Sequence, residues 1–169
     1  MEVTGKITLK KGRDISLQRF HPWVFSGAIA NMQGNVMDGC WVTVLNSSGK
    51  ILGYGHYQNG SIAVRMLSFS ETIPTSEIFR EKIDVAYTLR LNSGLISTET
   101  NAFRLIHGEG DGLPGLIIDY YDGVAVMQAH SFGMNTDRAK IAEALHLVLK
   151  EKLTAVYYKS KTTLPGKVR

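Results

Sequence analysis

At 169 residues the chain has room for one ordinary domain or two small ones. Hydrophobic residues make up 44% and charged residues 20%, which excludes a disordered polyelectrolyte, and no apolar run nears the ~20 residues that cross a bilayer. The net charge of +4 tilts only slightly toward an anionic partner, so the placement of the charges matters more than their sum.

Val3 to Leu9 reads as a first strand, and a short helix fits around Ile15 to Phe20. Trp41-Val42-Thr43-Val44-Leu45 is apolar and β-branched, and Asn46-Ser47-Ser48-Gly49-Lys50 after it has turn chemistry. Ile51 to Tyr57 follows as a strand whose Gly53 and Gly55 permit a bulge or close backbone approach. Asn59-Gly60 supports a tight hairpin, with Ile62 to Leu67 as the returning strand. These segments predict a small, strongly bent β-domain over residues 1–70, with roughly four to six strands.

Pro74 interrupts the chain, and an α+β domain is expected over 75–169. Thr75 or Ser76 would cap a helix carrying Phe79, Ile83, Ala86 and Tyr87 at helical spacing, with Gly94 as its stop. Strands follow at Ala102 to Ile106, Leu116 to Tyr121 and Val124 to Gln128, the last two joined by an Asp122-Gly123 hairpin. A second helix is expected from a cap at Asn135, burying Ile141, Ala142, Leu145, Val148 and Leu149. Ala155 to Tyr158 reads as a last short strand. The expected sheet is antiparallel and flanked by helices.

Three places invite chemistry. Gly110-Asp111-Gly112-Leu113-Pro114-Gly115 matches G-x-G-x-x-G, but a dinucleotide site needs that motif to open a helix, and here a strand follows. The nucleotide reading is therefore rejected in favour of a glycine-rich turn. Around it, Arg104, His107, Glu109 and Asp111 could supply acid/base or metal-binding groups if 107–111 were extended. The reading preferred over these is that Arg104 pairs with one of the two carboxylates and pins the loop. Cys40 is the sole cysteine, which fits a reducing cytoplasm, and its neighbours suggest strand packing rather than nucleophilic chemistry. No metal site and no catalytic residue is expected in this chain.

The third place is Lys11 to Gly27, where Lys11, Arg13, Arg19, His21, Trp23, Ser26 and Gly27 interleave cations, aromatics and a turn. Lys and Arg can meet phosphates, and rings can stack on bases. Against this, at least two of Trp23, Val24 and Phe25 are expected to be core. A second basic cluster, Lys150, Lys152, Lys159, Lys161, Lys167 and Arg169, gathers at the end.

His21-Pro22-Trp23-Val24-Phe25-Ser26-Gly27-Ala28-Ile29, the stretch from Arg104 through Gly108 to Asp119, and Val156-Tyr157-Tyr158-Lys159-Ser160 together resemble the RlmI-like 23S rRNA (cytosine-5) methyltransferases. The resemblance implies a PUA-like RNA-binding β-barrel, an α+β middle domain, and a further S-adenosylmethionine-binding Rossmann domain. That last domain, with its nucleophilic cysteine, would follow as roughly another 200 residues. It would be a missing C-terminal partner of this chain, and Cys40 matches neither of its sites.

The resulting expectation is an RNA-holding region without a cofactor or catalysis of its own, directed at structured ribosomal RNA. Lys11, Arg13, Arg19, His21, Trp23, Ser26 and Gly27 would touch RNA, while Arg104, Glu109 and Asp111 would face the missing catalytic domain. No membrane partner is expected, and homodimerisation is left open. The alternatives are a module docking a separately encoded catalytic chain, and a small stand-alone enzyme using the 107–111 loop.

Overall fold

A computed structural model describes residues 1–160, 163 and 164; Lys161, Lys167 and Arg169 of the C-terminal basic cluster lie outside the described residues. The chain divides into two compact units, 1–75 and 76–169.

Unit 1 contains β1 (Val3–Leu9), a single helical turn α1 (Ile15–Gln18), β2 (Trp23–Phe25), β3 (Ile29–Gly34), β4 (Trp41–Leu45), β5 (Ile51–Tyr57) and β6 (Ile62–Ser68). The six strands form one sheet in the order β2-β6-β5-β4-β1-β3. β1 runs parallel to β4, and every other neighbouring pair is antiparallel.

The two edge strands, β2 and β3, are joined only by the 3-10 turn Ser26–Ala28. Four Cα steps from Phe25 to Ile29 reach at most ~15 Å, whereas six flat strands would span about 24 Å. The sheet must therefore curl until its edges nearly meet. Closure is made at the turn rather than by a β2–β3 ladder: Ser26 N donates to Ser61 O at 2.9 Å and Lys10 N to Ala28 O at 2.8 Å. The resulting interior holds Ile7, Leu9, Leu17, Val24, Val42, Val44, Val64 and Met66, with Cys40 packed partly against them. Each such side chain contributes roughly 1.5–3 kcal/mol by leaving water.

Unit 2 contains α2 (Glu77–Asn92), β7 (Ala102–His107), β8 (Leu116–Tyr121), β9 (Val124–Ala129), α3 (Phe132–Thr136), α4 (Arg138–Leu149) and β10 (Ala155–Tyr158). Its sheet has the order β10-β9-β8-β7. β7, β8 and β9 are antiparallel, as expected, but β10 joins β9 in parallel. The expectation of a wholly antiparallel sheet is corrected: α3 and α4 carry the chain back to the starting end of β9, as a crossover to a parallel strand requires.

The second helix also differs from expectation. Ser131, not Asn135, is its cap, accepting Met134 N, and the helix breaks at Asp137. Asn135 is used elsewhere, since its Oδ1 accepts the Tyr158 hydroxyl at 2.6 Å.

One face of this sheet is buried: Phe103, Leu105, Leu116, Ile118, Ala125, Met127 and Ala129 are all 9% exposed or less. Phe79 and Ile83 of α2 and Ile141, Leu145 and Leu149 of α4 are equally buried. The opposite face carries Arg104, Asp119, Val126 and Tyr157 in one register row, Tyr121 and Val124 in the next, and His107, Ile117 and Gln128 in a third. Tyr121 and Tyr157 on this face are 51% and 59% exposed.

Lys82 of α2 lies beside the glycine turn, where a Cβ added to Gly112 would meet its Nζ at 2.8 Å. Burial lowers the pKa of its ammonium from the usual 10.5. Between the lowered value and 10.5 the unfolded chain holds the extra proton, so this group makes stability rise with pH across that window. Lys82→Met should flatten that rise. Parallel urea titrations of both proteins at about pH 8 and about pH 10 read the effect, and equal slopes would refute it.

Candidate nucleic-acid interface

The chain leaves β1 at Leu9 and makes a turn in which Arg13 N donates to Lys10 O at 3.0 Å. Leu17, 3% exposed, anchors the one-turn helix α1 in the core and leaves Arg13, Ser16 and Arg19 around it. Phe20 takes a positive φ of 61° and projects outward, 71% exposed, with its edge against Phe69 at 5.4 Å. The chain then turns back: His21 N donates to Ser16 O at 3.0 Å, and Pro22 O accepts Met66 N at 2.7 Å, docking β2 onto β6.

Strand alternation in β2 sends Val24 into the core and Trp23 and Phe25 to the opposite side. Trp23 is half-buried and Phe25 is 50% exposed, so only Val24 is fully core, not two of the three as expected. His21, Trp23 and Phe25 form a ring cluster. His21 stands edge-on to Trp23 at 5.6 Å, Trp23 edge-on to Phe25 at 6.3 Å, and His21 lies 6.4 Å from Phe25. Trp23 N donates to His21 Nδ1 at 3.2 Å, which fixes the imidazole's orientation.

Two adjacent depressions result. One, of about 290 Å³, is lined by Arg13, Trp23, Phe25 and Gly27 among others. The second, of about 540 Å³, is lined by Arg13, Ile15, Arg19 and His21 among others. Arg13 and Ser16 line both, so the depressions are neighbours. Of the seven expected contact residues, Arg13, Arg19, His21, Trp23 and Gly27 line this surface, while Lys11 and Ser26 sit exposed in the turns beside it. Sequence reasoning passes over Phe25, although its two-residue spacing from Trp23 is signal enough. It also passes over Lys10, whose Nζ donates to Gly27 O at 2.9 Å and braces the closing turn. Nothing in the sequence marks that brace, because its partner lies 17 residues away.

The second group of expected residues is divided differently. Gly108–Asp111 is a 3-10 turn, not an extended segment, so His107, Glu109 and Asp111 do not line up on one side. Asp111 is only 5% exposed: its two oxygens accept from Nη1 and Nη2 of Arg90, and Oδ2 also accepts His107 N at 2.6 Å. The expectation that Asp111 faces outward toward another domain is corrected, because a carboxylate with both oxygens committed is a structural pin. Arg104 does not pin the loop. It pairs with Asp119 of β8, Nε to Oδ1 at 2.8 Å and Nη2 to Oδ2 at 3.2 Å, on the open face of the sheet. Glu109 is exposed on the 3-10 turn.

No cluster of three or more His, Cys, Asp or Glu residues able to hold a metal occurs among the described residues. No helix among them is long and apolar enough to cross a membrane. Nor does the glycine turn suit S-adenosylmethionine. It joins antiparallel β7 to β8 instead of opening a helix, and Pro114 lacks an N–H to donate.

Curled sheet and closing turn accord with one class of domain: residues 7–69 match the family model of the PUA-like domain. The particular relatives are ribosomal RNA large subunit methyltransferases I, and the resemblance read from the sequence is borne out. The chain is 40% identical over 146 residues to the one from Alteromonas mediterranea, and 36% identical over 171 residues to the one from Escherichia coli. These alignments cover 85% and 96% of this chain but only 36% and 41% of the relatives, so the chain spans about two-fifths of their length. A putative SAM-dependent methyltransferase from Streptococcus mutans has the same fold over 92% of this chain and 40% of its own, with TM-score 0.77 at 20% identity.

Proposed function

We propose that unit 1 binds structured ribosomal RNA through the surface of Arg13, Arg19, His21, Trp23, Phe25 and the Ser26–Gly27 turn. The chain then serves as the RNA-holding region of a SAM-dependent methyltransferase acting on large-subunit rRNA. Cofactor and chemistry reside in a separate Rossmann domain, with Glu109 on the side of unit 2 that meets it. The observation that carries this reading is that Arg13 lines both depressions, which bring the Arg13 and Arg19 guanidinium groups beside the His21, Trp23 and Phe25 rings on a PUA-like domain.

The roles follow from the chemistry. Arg13, Arg19 and Lys11 meet phosphates, and each contact releases counterions, so binding weakens as salt rises. Trp23 and Phe25 offer faces and edges to an unstacked base. Gly27 has a different role. A Cβ there would meet nothing within 4 Å, so packing inside the chain does not require the glycine. Its value lies in letting the backbone of the turn come close to a ligand.

The test is a fluorescence-anisotropy titration of a labelled rRNA stem-loop at several salt concentrations. Arg13→Ala with Arg19→Ala should weaken binding by roughly tenfold or more and flatten the logarithmic salt slope by about one unit per lost phosphate contact. Absence of binding at low salt, or an unchanged slope, would count against the interface. Gly27→Ala should leave the melting temperature within about 1 °C, as an unhindered surface change does, yet weaken the same RNA. Calorimetric titration with S-adenosylmethionine should give no heat of tight binding; a micromolar site would overturn the assignment of the cofactor elsewhere.

A further inference from the structure

We infer that the open face of the unit 2 sheet is a second RNA site, a stacking platform for two or three unpaired nucleotides centred on Tyr121 and Tyr157. The inference goes beyond the unit 1 interface and takes only its partner class, RNA, from that reading.

Tyr121 on β8 and Tyr157 on β10 are 51% and 59% exposed, among the larger exposed apolar side chains of this unit. Register puts Tyr121 opposite Val124, and Tyr157 opposite Val126. The rings are therefore separated by two strand spacings and one two-residue step, about 12 Å between Cα positions. Half-buried Val124 and Val126 of β9 floor the space between them. A sheet with helices on one side and exposed rings on the other is a known way to splay single-stranded RNA, with two or three bases stacked on the rings.

Polar groups at both edges of the face suit a nucleotide. Arg104 and His107 stand together, Arg104 Nη1 3.4 Å from His107 Nδ1, at the β7 edge of the face. Lys159, exposed just after β10, extends the opposite edge, where its N–H donates to Met127 O at 2.9 Å. The carboxylate among these rows, Asp119, accepts from Arg104 with both oxygens, so that pair is close to neutral and Lys159 is the cation left to meet a phosphate. Gln128, in the same row as Ile117, can donate and accept at a base edge.

The experiment uses the full chain and 5′-fluorescein octauridylate at low salt. Stacking on each ring is sequence-tolerant, so Tyr121→Ala with Tyr157→Ala should weaken octauridylate binding by at least about tenfold. Tyr121→Phe with Tyr157→Phe keeps the rings and should stay within about twofold. Arg13→Ala with Arg19→Ala should weaken the stem-loop by a larger factor than octauridylate, and the tyrosine pair should do the reverse, which separates the two sites. If the stem-loop ignores the arginines but octauridylate responds to the tyrosines, the unit 1 reading fails and this one stands. Wild-type affinity in the alanine pair, or no octauridylate binding by the natural chain, overturns the platform and leaves the face to a protein. Photo-crosslinking with 4-thiouridine, mapped by mass spectrometry, gives a readout independent of any variant's folding: adducts at Tyr121 or Tyr157 support the site, and adducts confined to unit 1 overturn it.

Discussion

Arg90→Ala is expected to destabilise unit 2 by about 3–5 kcal/mol, the cost of leaving one half of a buried ion pair behind. Arg90 and Asp111 are 12% and 5% exposed, and their contact is bidentate, with Nη2 to Oδ2 at 2.7 Å. The guanidinium also donates to Arg104 O at 3.2 Å and to Ala86 O at 3.3 Å. One side chain thus links α2, β7 and the glycine turn. Removing it strands the Asp111 carboxylate and frees two carbonyls. Adding Asp111→Asn to the alanine variant should recover part of the loss, since the amide oxygen can still accept His107 N without a charge. Urea melts of the single and double variants decide the matter. A loss below about 1 kcal/mol in Arg90→Ala would mean that the pair is solvated rather than structural.

Gly53→Ala is expected to cost about 3–5 kcal/mol, by backbone strain added to overpacking. Gly53 sits in β5 at φ 145°, and an added Cβ would stand 2.0 Å from Ser68 O, 2.9 Å from Met66 Cε and 3.0 Å from Phe69 Cα. Two of these three atoms are backbone, so the neighbours cannot yield by a rotamer change. The β4–β5 register shifts between Val44 and Leu45, next to Gly53, and β5–β6 shifts between Tyr54 and Gly55. These irregularities bend the sheet where it must curl. The damage should be confined to unit 1: RNA binding by the Arg13 surface falls together with the tyrosine signal of Tyr54, while the amides of α4 keep their exchange protection. Wild-type thermal stability in this variant would refute the argument.

Legibility in the sequence follows the physics of each element. β4, β5 and β6 are plain because their apolar, β-branched runs and the turns between them, Asn59-Gly60 above all, are local signals, and β1 and β8 are legible to the residue. β3 gives no such signal. Ile29-Ala30-Asn31-Met32-Gln33-Gly34 is exposed at five of its six positions, so it has no buried stripe and is held by ladder bonds to β1. β2 is three residues long, and its aromatic character masks its role as a strand. In the interface, residue types are informative and partners are not. Arg13, Arg19 and Trp23 can be picked out by composition, but the Arg90–Asp111 pin spans 21 residues and a helix-to-turn contact that no local pattern encodes. Choosing Arg104 as the pin fails for that reason: it is nearer in sequence, while Arg90 is nearer in space.

The placement of β1 between β3 and β4 has a kinetic consequence. The first strand of this unit can pair on one side with Ile29–Gly34, but its other edge stays open until its parallel mate, Trp41–Leu45, has been synthesised. The β4–β5–β6 meander closes over short turns and can nucleate alone, so the amino-terminal strand inserts into a template already formed. On this order an extension fused ahead of β1 is expected to slow the last step of refolding rather than the first, and stopped-flow refolding with and without the extension reads the difference.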